Sequence, residues 1–474
     1  MTNSKPLSGS HGSVLDPIVA IQYQIILERE GSATIDIVTG ISESREEALN
    51  LVEKYQDKQI ANRVFELAWT HSQVVLRQIN ASESDAQLYG RLASSVIFAN
   101  SSLRAEPGIL IKNRRGQSGL WAYSISGDLP IVLLQIEDPA NINLVRQLVQ
   151  AHAYWRLKGL AVDLVIWNEY HAGYRQLLQE QIIGIIAAGI EANIIDRPGG
   201  IFVRSADQIS NEDRILFQTV ARAIISDTRG ALADQINRRG YGELPVSNFK
   251  PTRTYRPNSQ SEEILPRQDL IFYNGIGGFT SDGREYVITT SKDRTTPAPW
   301  VNVLANQGFG TIISENGVAY TWAENSHEYR LTPWYNDPVT DSSGEAMYIR
   351  DEETGHFWSP TPLTDSESKL YLSRHGFGYS VFEHNEGGIV TELWVYVAID
   401  AAVKFSVLKV RNESGRPCKL SATSYVDWVL GDLRHKSAMH VNTSIDLNSN
   451  VIYAVNPYNQ EFADRVAFLQ TDDT

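Results

Sequence analysis

The sequence predicts an α+β protein of several domains, with a large antiparallel β-sandwich in its C-terminal half behind a helical and small α/β region. Three observations predict this class. Apolar residues recur at helical spacing after residue 44, short apolar runs alternate with helical patterns over 116–244, and strand-like runs joined by glycine turns fill 268–474. At 474 residues, the chain has room for about three domains.

The first 115 residues are predicted to pass from strands to helices. Apolar and polar residues alternate over 21–27 and Glu30-Gly31 offers a turn, which together indicate a β-hairpin. Ser44 and Glu47 then form a capping box, in which each side chain can bind an orphan backbone amide at the start of a helix. We therefore predict a polar tail and hairpin over 1–43, which end a preceding sandwich, and a helical segment over 44–115.

Residues 116–244 are predicted to form a small α/β region of alternating strands and helices. A last helix is predicted after the cap signal at Ser210, with Leu216, Val220, Ala223 and Ile224 on one face. Polar residues at 127–130 and 168–169 stand at strand ends, where a turn or capping role is favoured over a catalytic one. The predicted strands span 131–136, 163–167 and 201–204, and the predicted helices span 144–157 and 174–188.

A proline-rich linker is predicted over 245–267, and the region 268–474 beyond it is almost wholly β. Asn316-Gly317 lies between two apolar runs and predicts a hairpin in which both turn residues have positive φ. The glycine-rich run 274–279 is followed by a strand rather than a helix, so we reject a nucleotide site there. Further turns are predicted at 353–355, 386–388 and 413–415, and strands at 393–399, 405–410 and 424–430.

Charge and cysteine content exclude several classes of protein. The formal net charge of −14 argues against a nucleic-acid-binding surface and against direct contact with an anionic membrane. The single cysteine, Cys418, excludes an intrachain disulfide and fits a reducing compartment. The polar N-terminus has no signal-peptide core, and the apolar run at 182–190 is too short to span a bilayer. The sequence therefore predicts a cytoplasmic chain.

The tryptophans of the β region suggest a sugar-binding surface. Trp300, Trp322, Trp334 and Trp358 stand among proline, amide and charged residues in stretches that do not fit a strand pattern, whereas Trp394 and Trp428 fit strands and are predicted to pack in the core. Large aromatic rings beside fixed polar groups suit a pyranose ring, which has an apolar face and a belt of hydroxyls. The alternative is that these loops pack on the sandwich, with Arg330 paired to Asp337.

Other candidate chemistry is weaker, and no cofactor or metal is expected. Four histidines fall in one region at spacings that match no ligand motif, so hydrogen bonding in turns is the favoured role. Acidic residues could in principle form the carboxylate pair of a glycosidase, but the sequence does not show which of them face a common cleft. The histidines are His327, His356, His375 and His384, and the carboxylates are Asp337, Asp341, Glu345, Asp351 and Glu383.

Five long segments of the β region stand in a characteristic order. They are NGIGGFTSDGREYVI (274–288), TPAPWVNVLANQGFG (296–310), NSHEYRLTPWYNDPV (325–339), DEETGHFWSPTP (351–362) and RHGFGYSVFEH (374–384). Together they resemble the N-terminal sugar-binding supersandwich of glycoside hydrolase family 94, formerly glycosyltransferase family 36, and in particular the cyclic β-1,2-glucan synthases. The resemblance runs from about residue 14 to the end, and upstream segments at 116–136 and 144–169 share it.

This resemblance implies a function for the parent enzyme rather than for the chain alone. In such synthases a membrane-embedded domain polymerises glucose from UDP-glucose, and the family 94 module shortens the glucan by phosphorolysis in a downstream (α/α)6 barrel. The chain is thus expected to be an internal fragment, without catalytic residues and inactive alone, whose parent sits at the inner membrane with this part facing the cytoplasm. The resemblance assigns β-glucan contact or bracing of the barrel to Trp322, Asn325, Arg330, Trp334, Asn336, Asp337, Trp358 and Arg374.

Two hypotheses follow, with a third less favoured. The chain is either a carbohydrate-binding part that holds β-glucan, with β-1,2 linkages, or a docking platform that binds the (α/α)6 barrel without touching sugar. A groove lined by aromatic and polar groups would favour sugar, and a flat apolar patch would favour docking. A self-sufficient glycosidase that uses carboxylates of the sandwich is the third.

Overall fold

The computed structural model describes residues 7–9, 11–13, 18–170, 177–237, 269–291, 294–335, 343–362 and 370–471. The chain forms two compact units, Met1–Ser82 and Glu83–Thr474. The predicted linker over 245–267 lies outside the described residues, as do Asn336, Asp337 and Asp341.

The first unit contains two helices, α1 (Arg45–Tyr55) and α2 (Lys58–Gln78). The serine half of the predicted capping box is confirmed, because Ser44 accepts a hydrogen bond from the backbone N–H of Glu47 at 3.2 Å. The predicted hairpin is wrong for residues 18–41, which form no strand, although Gly31 N–H does bond to Glu28 O across the turn. Its apolar side chains are exposed (Ile21 is 83% exposed), and a two-stranded hairpin without a buried face is barely stable.

The α/β region of the second unit is built on a parallel sheet with strand order β3-β2-β1-β4. A buried core packs one face of the sheet against the helices through residues such as Leu133, Trp167 and Phe217. The elements are α3 (Glu83–Ile97), α4 (Pro107–Leu110), β1 (Ile131–Ile136), α5 (Ile142–Leu157), β2 (Asp163–Asn168), α6 (Leu177–Ala187), β3 (Ile201–Ser205), α7 (Asn211–Val220), β4 (Ala221–Ser226) and α8 (Leu232–Asn237).

The end of α7 corrects one prediction. Ser210 caps α7 as predicted, accepting a hydrogen bond from Asp213 N–H, but the helix ends at Val220. Ala223 and Ile224, predicted on the same helical face, belong instead to β4. A short, fully buried apolar run has no periodicity that separates a strand from a helix. The pairing of β4 with β1 also skips one residue, because Ile131 pairs with Ala221 and the next residue of β1 pairs with Ala223.

Residues 277–469 are β-rich, as predicted. A sheet of order β15-β14-β13-β12-β6-β5 packs on a sheet of order β7-β8-β9 through Leu304, Ile313, Phe382 and Leu393. The other two sheets have the orders β11-β10-β16 and β17-β18-β19. The elements are β5 (Gly277–Phe279), β6 (Glu285–Thr290), β7 (Val301–Ala305), β8 (Phe309–Ser314), β9 (Ala319–Ala323), β10 (Glu345–Asp351), β11 (Phe357–Trp358), β12 (Tyr371–Gly376), β13 (Tyr379–Glu386), β14 (Ile389–Val397), β15 (Lys404–Asn412), β16 (Leu420–Val426), α9 (Arg434–Ser437), β17 (Asn442–Asp446), β18 (Val451–Val455) and β19 (Val466–Leu469).

The predicted hairpin turn connects β8 and β9, with a different geometry. Gly317 has a φ of +82°, but Asn316 is not in the positive-φ region, so the prediction of two such residues is wrong. Ser314 N–H bonds to Val318 O and Gly317 N–H bonds back to Ser314 O, each at 2.9 Å. The connection is therefore longer than two residues, and a single left-handed glycine suffices.

The α/β region and the sandwich contact each other directly. Arg104 donates from Nη2 to the carbonyls of Thr219 at 3.0 Å and Met439 at 2.8 Å, which ties the two regions together. Tyr458 packs against the buried core of the α/β region. Over the described residues, no helix has both the length and the apolar character needed to cross a membrane.

Candidate functional site

Three of the predicted site residues gather around Tyr320 on the outer face of the β7-β8-β9 sheet. The Tyr320 ring lies 5.3 Å from the ring of Trp322 and 5.0 Å from that of Trp334. The Arg330 guanidinium lies 5.9 Å from the Tyr320 ring centroid. We call Tyr320, Trp322, Arg330 and Trp334 the tryptophan–arginine cluster. Tyr320, which the sequence analysis did not single out, is its centre.

The strand pattern explains why these rings meet. Tyr320 and Trp322 alternate with core-facing residues on β9, so both point to the outer face. Trp322 pairs with Gly310 of β8, and a Cβ at that glycine would lie 2.4 Å from the indole. The glycine thus makes room for the ring across the strand pair. Trp322 was predicted to lie in a loop, which is wrong, because the run of polar residues begins only after β9.

Arg330 does not use all of its hydrogen-bond donors within the described residues. Its guanidinium donates from Nη1 to the carbonyl of Trp334 at 3.3 Å, and its buried Nε has no partner in the described part of the chain. Burial raises the pKa of Tyr320, and the charge of Arg330 and a hydrogen bond with it partly offset this. Most cations of the sandwich pair with carboxylates, so a guanidinium that has an unused donor and lies beside aromatic rings is a candidate for hydroxyl recognition.

The other predicted site residues are not part of this cluster. Asn325 supports a turn, because its Oδ1 accepts from the backbone N–H groups of His327 at 2.9 Å and Glu328 at 3.0 Å. Trp358 was predicted in a loop but lies in β11, buried in a separate small core, with its ring stacked on His356 at 5.6 Å. Asn336 and Asp337 lie outside the described residues, so their predicted roles and the Arg330–Asp337 pair stay predictions.

Arg374 lies on the outer face of the six-stranded sheet, in an ionic cluster. It bonds to Glu285 at 2.6 Å and Glu383 at 2.7 Å, and its guanidinium lies 5.6 Å from the Trp394 ring. Burial lowers the pKa of Arg374, but the two carboxylates outweigh burial and raise it. The Lys409 ammonium also contacts Trp394, at 4.8 Å. These groups satisfy one another, which suits a structural role.

Of the two tryptophans predicted to pack in the core, Trp428 does pack against it and Trp394 does not. Trp394 is on β14 but on the partly exposed outer face rather than in the core. Trp428 lies beyond the end of β16 and packs against a core cluster that contains Phe309 and Leu430. Strand alternation fixes a face only when its register is known, which a single sequence does not give.

The histidines of the sandwich make structural hydrogen bonds. His375 faces Ser380 Oγ at 2.9 Å and the Trp300 carbonyl at 3.2 Å, and burial lowers its pKa to about 4. His384 is buried and stacks on Tyr371 at 3.9 Å. Within the described ranges, no three histidine, cysteine or acidic side chains form a group able to hold a metal ion.

The three described carboxylates among the glycosidase candidates are engaged in ion pairs. Glu345 pairs with Lys404, Asp351 with Arg416, and Glu383 with Arg374. Burial alone would raise the pKa of Glu345, but Lys404 outweighs burial and lowers it. Burial would also raise the pKa of Asp351, but hydrogen bonds from the backbone N–H groups of Glu353 and Thr354, together with Arg416, lower it. A general acid for glycoside cleavage needs a raised pKa, so Glu345 and Asp351 do not supply one.

A second surface lies at the edge of the parallel sheet where the strand order reverses. The strand order places β1 and β4 side by side at the switch point, where parallel α/β sheets commonly bind ligands. An open cleft of about 640 Å³ lies there. Asp227 occupies part of it structurally, accepting from the backbone N–H groups of Glu137 and Asp138 at 2.9 Å. The cleft is lined by Glu137, Asp138, Pro139, Asn141, Tyr170, Asp227 and Thr228.

Comparison with known proteins supports the assignment of the sandwich region. The glycosyl hydrolase 94 supersandwich domain model matches residues 1–58 and 284–474. The chain is 31% identical over 475 residues to the cyclic beta-(1,2)-glucan synthase NdvB of Rhizobium meliloti, covering 98% of this chain and 17% of that protein. It is 32% identical over 200 residues to N,N'-diacetylchitobiose phosphorylase of Vibrio furnissii (42% of this chain, 24% of that protein). It is 30% identical over 165 residues to solabiose phosphorylase of Paenibacillus borealis (33% and 20%).

The chain thus spans less than a quarter of the length of each of these relatives. The matched ranges contain the sheets that carry the tryptophan–arginine cluster and the Arg374 cluster. Sequence motifs, sandwich topology and the family model agree. The chain therefore belongs to the glycosyl hydrolase 94 family through its supersandwich domain.

Proposed function

We propose that this chain is a carbohydrate-binding, non-catalytic part of a larger enzyme of the cyclic β-1,2-glucan synthase type. It would help to hold β-1,2-linked glucan for phosphorolytic length control by an (α/α)6 barrel of the parent enzyme. The similarity to a glucan synthase over 98% of the chain supports the substrate class. The similarity to two disaccharide phosphorylases supports the phosphorolytic context. On this proposal the chain alone is inactive and lies in the cytoplasm, the parent being anchored at the inner membrane.

The observation that carries this proposal is the tryptophan–arginine cluster, in which Trp322, Trp334 and the Arg330 guanidinium all lie around the Tyr320 ring. The indoles offer apolar faces for a pyranose ring, and Arg330 has donors that no described protein group uses. A guanidinium with free donors beside stacking rings can recognise sugar hydroxyls without any change in the fold. The geometry supports contact at this cluster rather than at buried Trp358 or at Arg374, whose donors are taken by carboxylates.

A sugar titration tests the proposal. The chain is titrated with linear β-1,2-glucooligosaccharides while tryptophan fluorescence is followed, with β-1,4-linked oligomers as the linkage control. We expect saturable binding that prefers the β-1,2 linkage and weakens about tenfold in Trp334→Ala and in Arg330→Gln, since each loses one contact worth about 1 kcal/mol or more. Trp121→Ala is the matched control, because Trp121 is a 59% exposed tryptophan of the α/β region.

A docking platform for the barrel is the second candidate function. It is favoured by apolar side chains exposed on the edge strand β15 and on the β17-β18-β19 sheet, including Phe405, Val410, Ile445 and Phe468. Such residues commonly mark protein interfaces. Absence of glucan binding at millimolar ligand would refute the sugar-binding proposal and favour docking. Unchanged binding in both Trp334→Ala and Arg330→Gln would refute the assignment of the cluster.

A further inference from the structure

A group of three nitrogen-bearing side chains lies where the α/β region meets the sandwich. They are Arg104, which follows α3, Arg222 on β4, and His440, which follows α9. Arg104 reaches both neighbours, because its Nη2 bonds to the carbonyl of Thr219, three residues before Arg222, and to that of Met439, directly before His440. A backbone hydrogen bond from Ile224 N to Leu103 O at 2.7 Å holds Arg104 alongside β4.

All three side chains have donors that no described protein group accepts. Arg104 Nε and His440 Nδ1 are buried and lack hydrogen-bond partners. The Arg222 side chain makes no hydrogen bond or ion pair within the described residues. Buried polar atoms in native proteins are almost always paired, so two orphaned nitrogens beside an unpaired guanidinium require an explanation.

The pKa shifts of these groups also indicate that they lie close together without a counter-charge. Burial lowers the pKa of Arg104, and the Arg222 charge lowers it further. Burial, followed by the charges of Arg104 and Arg222, lowers the pKa of His440 to about 3. His440 is 7% exposed and stacks on Tyr458 at 4.0 Å, which fixes its ring plane. The protein thus concentrates positive charge locally, although its net charge is −14.

Arg222 lies at an irregularity in the pairing of β4 with β1. Arg222 is the residue that the β1–β4 pairing skips, which makes it the extra residue of a β-bulge. Bulges re-aim a side chain out of the regular alternation and are typical of functional positions.

We propose that Arg104, Arg222 and His440 form a binding site for a phosphate group, either inorganic or carried by a sugar. A tetrahedral dianion supplies several acceptor oxygens and enough charge to neutralise two guanidiniums, which one carboxylate does not. The His440 Nδ1 would donate the third hydrogen bond as the neutral tautomer. This site uses none of the residues proposed to contact glucan.

Calorimetric titration with inorganic phosphate and with glucose 1-phosphate tests the site, with sodium chloride at matched ionic strength as a blank. We expect saturable phosphate binding that weakens about tenfold or more in Arg222→Gln, because a charge-assisted hydrogen bond is lost. Arg222→Lys should keep part of the affinity, and Arg411→Gln, an exposed arginine paired with Glu413, should bind as the original chain does. Tighter binding of one phosphate compound identifies the source of the group.

Stability without phosphate separates binding from structure. The Arg222 guanidinium makes no hydrogen bond or ion pair within the described residues, and glutamine keeps part of the side chain, so Arg222→Gln should unfold at the same temperature as the original chain or higher, and should lose only the phosphate-dependent rise. A lower unfolding temperature without phosphate would show a structural role and overturn the proposal. So would equal binding in Arg222→Gln, or no heat of binding at millimolar phosphate beyond the chloride blank.

Discussion

The buried ion pair between Glu345 of β10 and Lys404 of β15 gives the sharpest prediction about stability. Both side chains are only 15% exposed. Glu345 also accepts hydrogen bonds from Thr321 at 2.5 Å and Thr332 at 2.9 Å, and Lys404 donates to Thr321 at 2.8 Å. Replacing Lys404 by methionine keeps the length of the side chain and removes its charge, which leaves a buried carboxylate without a counter-charge.

We expect Lys404→Met to lose about 3–5 kcal/mol of local stability at pH 7, the usual cost of breaking a buried pair from one side. In the original chain, burial would raise the pKa of Glu345, but Lys404 and the two threonines outweigh it and hold this pKa below that of an ordinary glutamate. The carboxylate therefore stabilises the fold above about pH 4.3, and this stabilisation is lost as the pH falls through the folded-state pKa.

The variant should respond to pH in the opposite sense. Without Lys404, burial dominates and the pKa of Glu345 rises above its unfolded value, so protonation relieves the buried charge. The deficit of Lys404→Met relative to the original chain should thus be largest near neutral pH and shrink as the pH falls toward 4. Hydrogen exchange of the β10 amides that pair with β16 measures the opening free energy of this part of the fold.

Lys409→Met is the matched control, because Lys409 lies on the same strand but is 60% exposed and should cost at most about 1 kcal/mol. A deficit below about 1 kcal/mol in Lys404→Met would show that the pair is not desolvated, against the reasoning above. A deficit that stays constant from neutral pH to pH 4 would show that lost packing, rather than the charge of Glu345, is responsible.

Three further outcomes are expected. His375→Gln should remove part of the acid sensitivity of thermal unfolding. The folded pKa of His375 is about 4 and the ordinary value is about 6.5, so the fold loses stability as the pH falls from about 6.5 toward 4, where only the unfolded chain binds the proton. An unchanged pH profile in the variant would contradict this. Gly310→Ala should cost about 1–3 kcal/mol and shift the tryptophan emission, because its Cβ would lie 2.4 Å from the Trp322 ring; unchanged emission would contradict the packing. Ser210→Ala should cost about 0.5–2 kcal/mol and speed hydrogen exchange at the start of α7, where Ser210 now accepts from Asp213 N–H; unchanged protection would contradict the cap.

The local signals in the sequence predicted much of the fold. The caps at Ser44 and Ser210 each depend on residues within one helical turn, and both formed. The strand over 131–136 was predicted with the bounds that the structure has. The error at Ala223 and Ile224 arose because a strand buried on both faces has no polar residues to mark its period.

The candidate site was harder to predict because its contacts join distant segments. Arg330 and Trp334 were identified together from one loop, but Tyr320, the ring between them, looked like an ordinary strand residue. The buried position of Trp358 depends on pairing between β10 and β11 and on packing against Ile389, neither of which a local pattern contains. A ring among proline and polar residues can face solvent or core, and only tertiary contacts decide which.

The proposed phosphate site separates two kinds of relative. Arg104 and Met439, the neighbour of His440, are 335 positions apart. The match to N,N'-diacetylchitobiose phosphorylase covers 200 residues, so it cannot contain both ends of the site, whereas the match to the glucan synthase covers 475. Since Arg104 and Tyr458 also fasten the α/β region to the sandwich, the site exists only where both regions occur in one chain. We therefore expect phosphate to raise the unfolding temperature of this chain. We expect that rise to be lost in a chimera in which the segment up to Val220 is replaced by a segment that lacks Arg104.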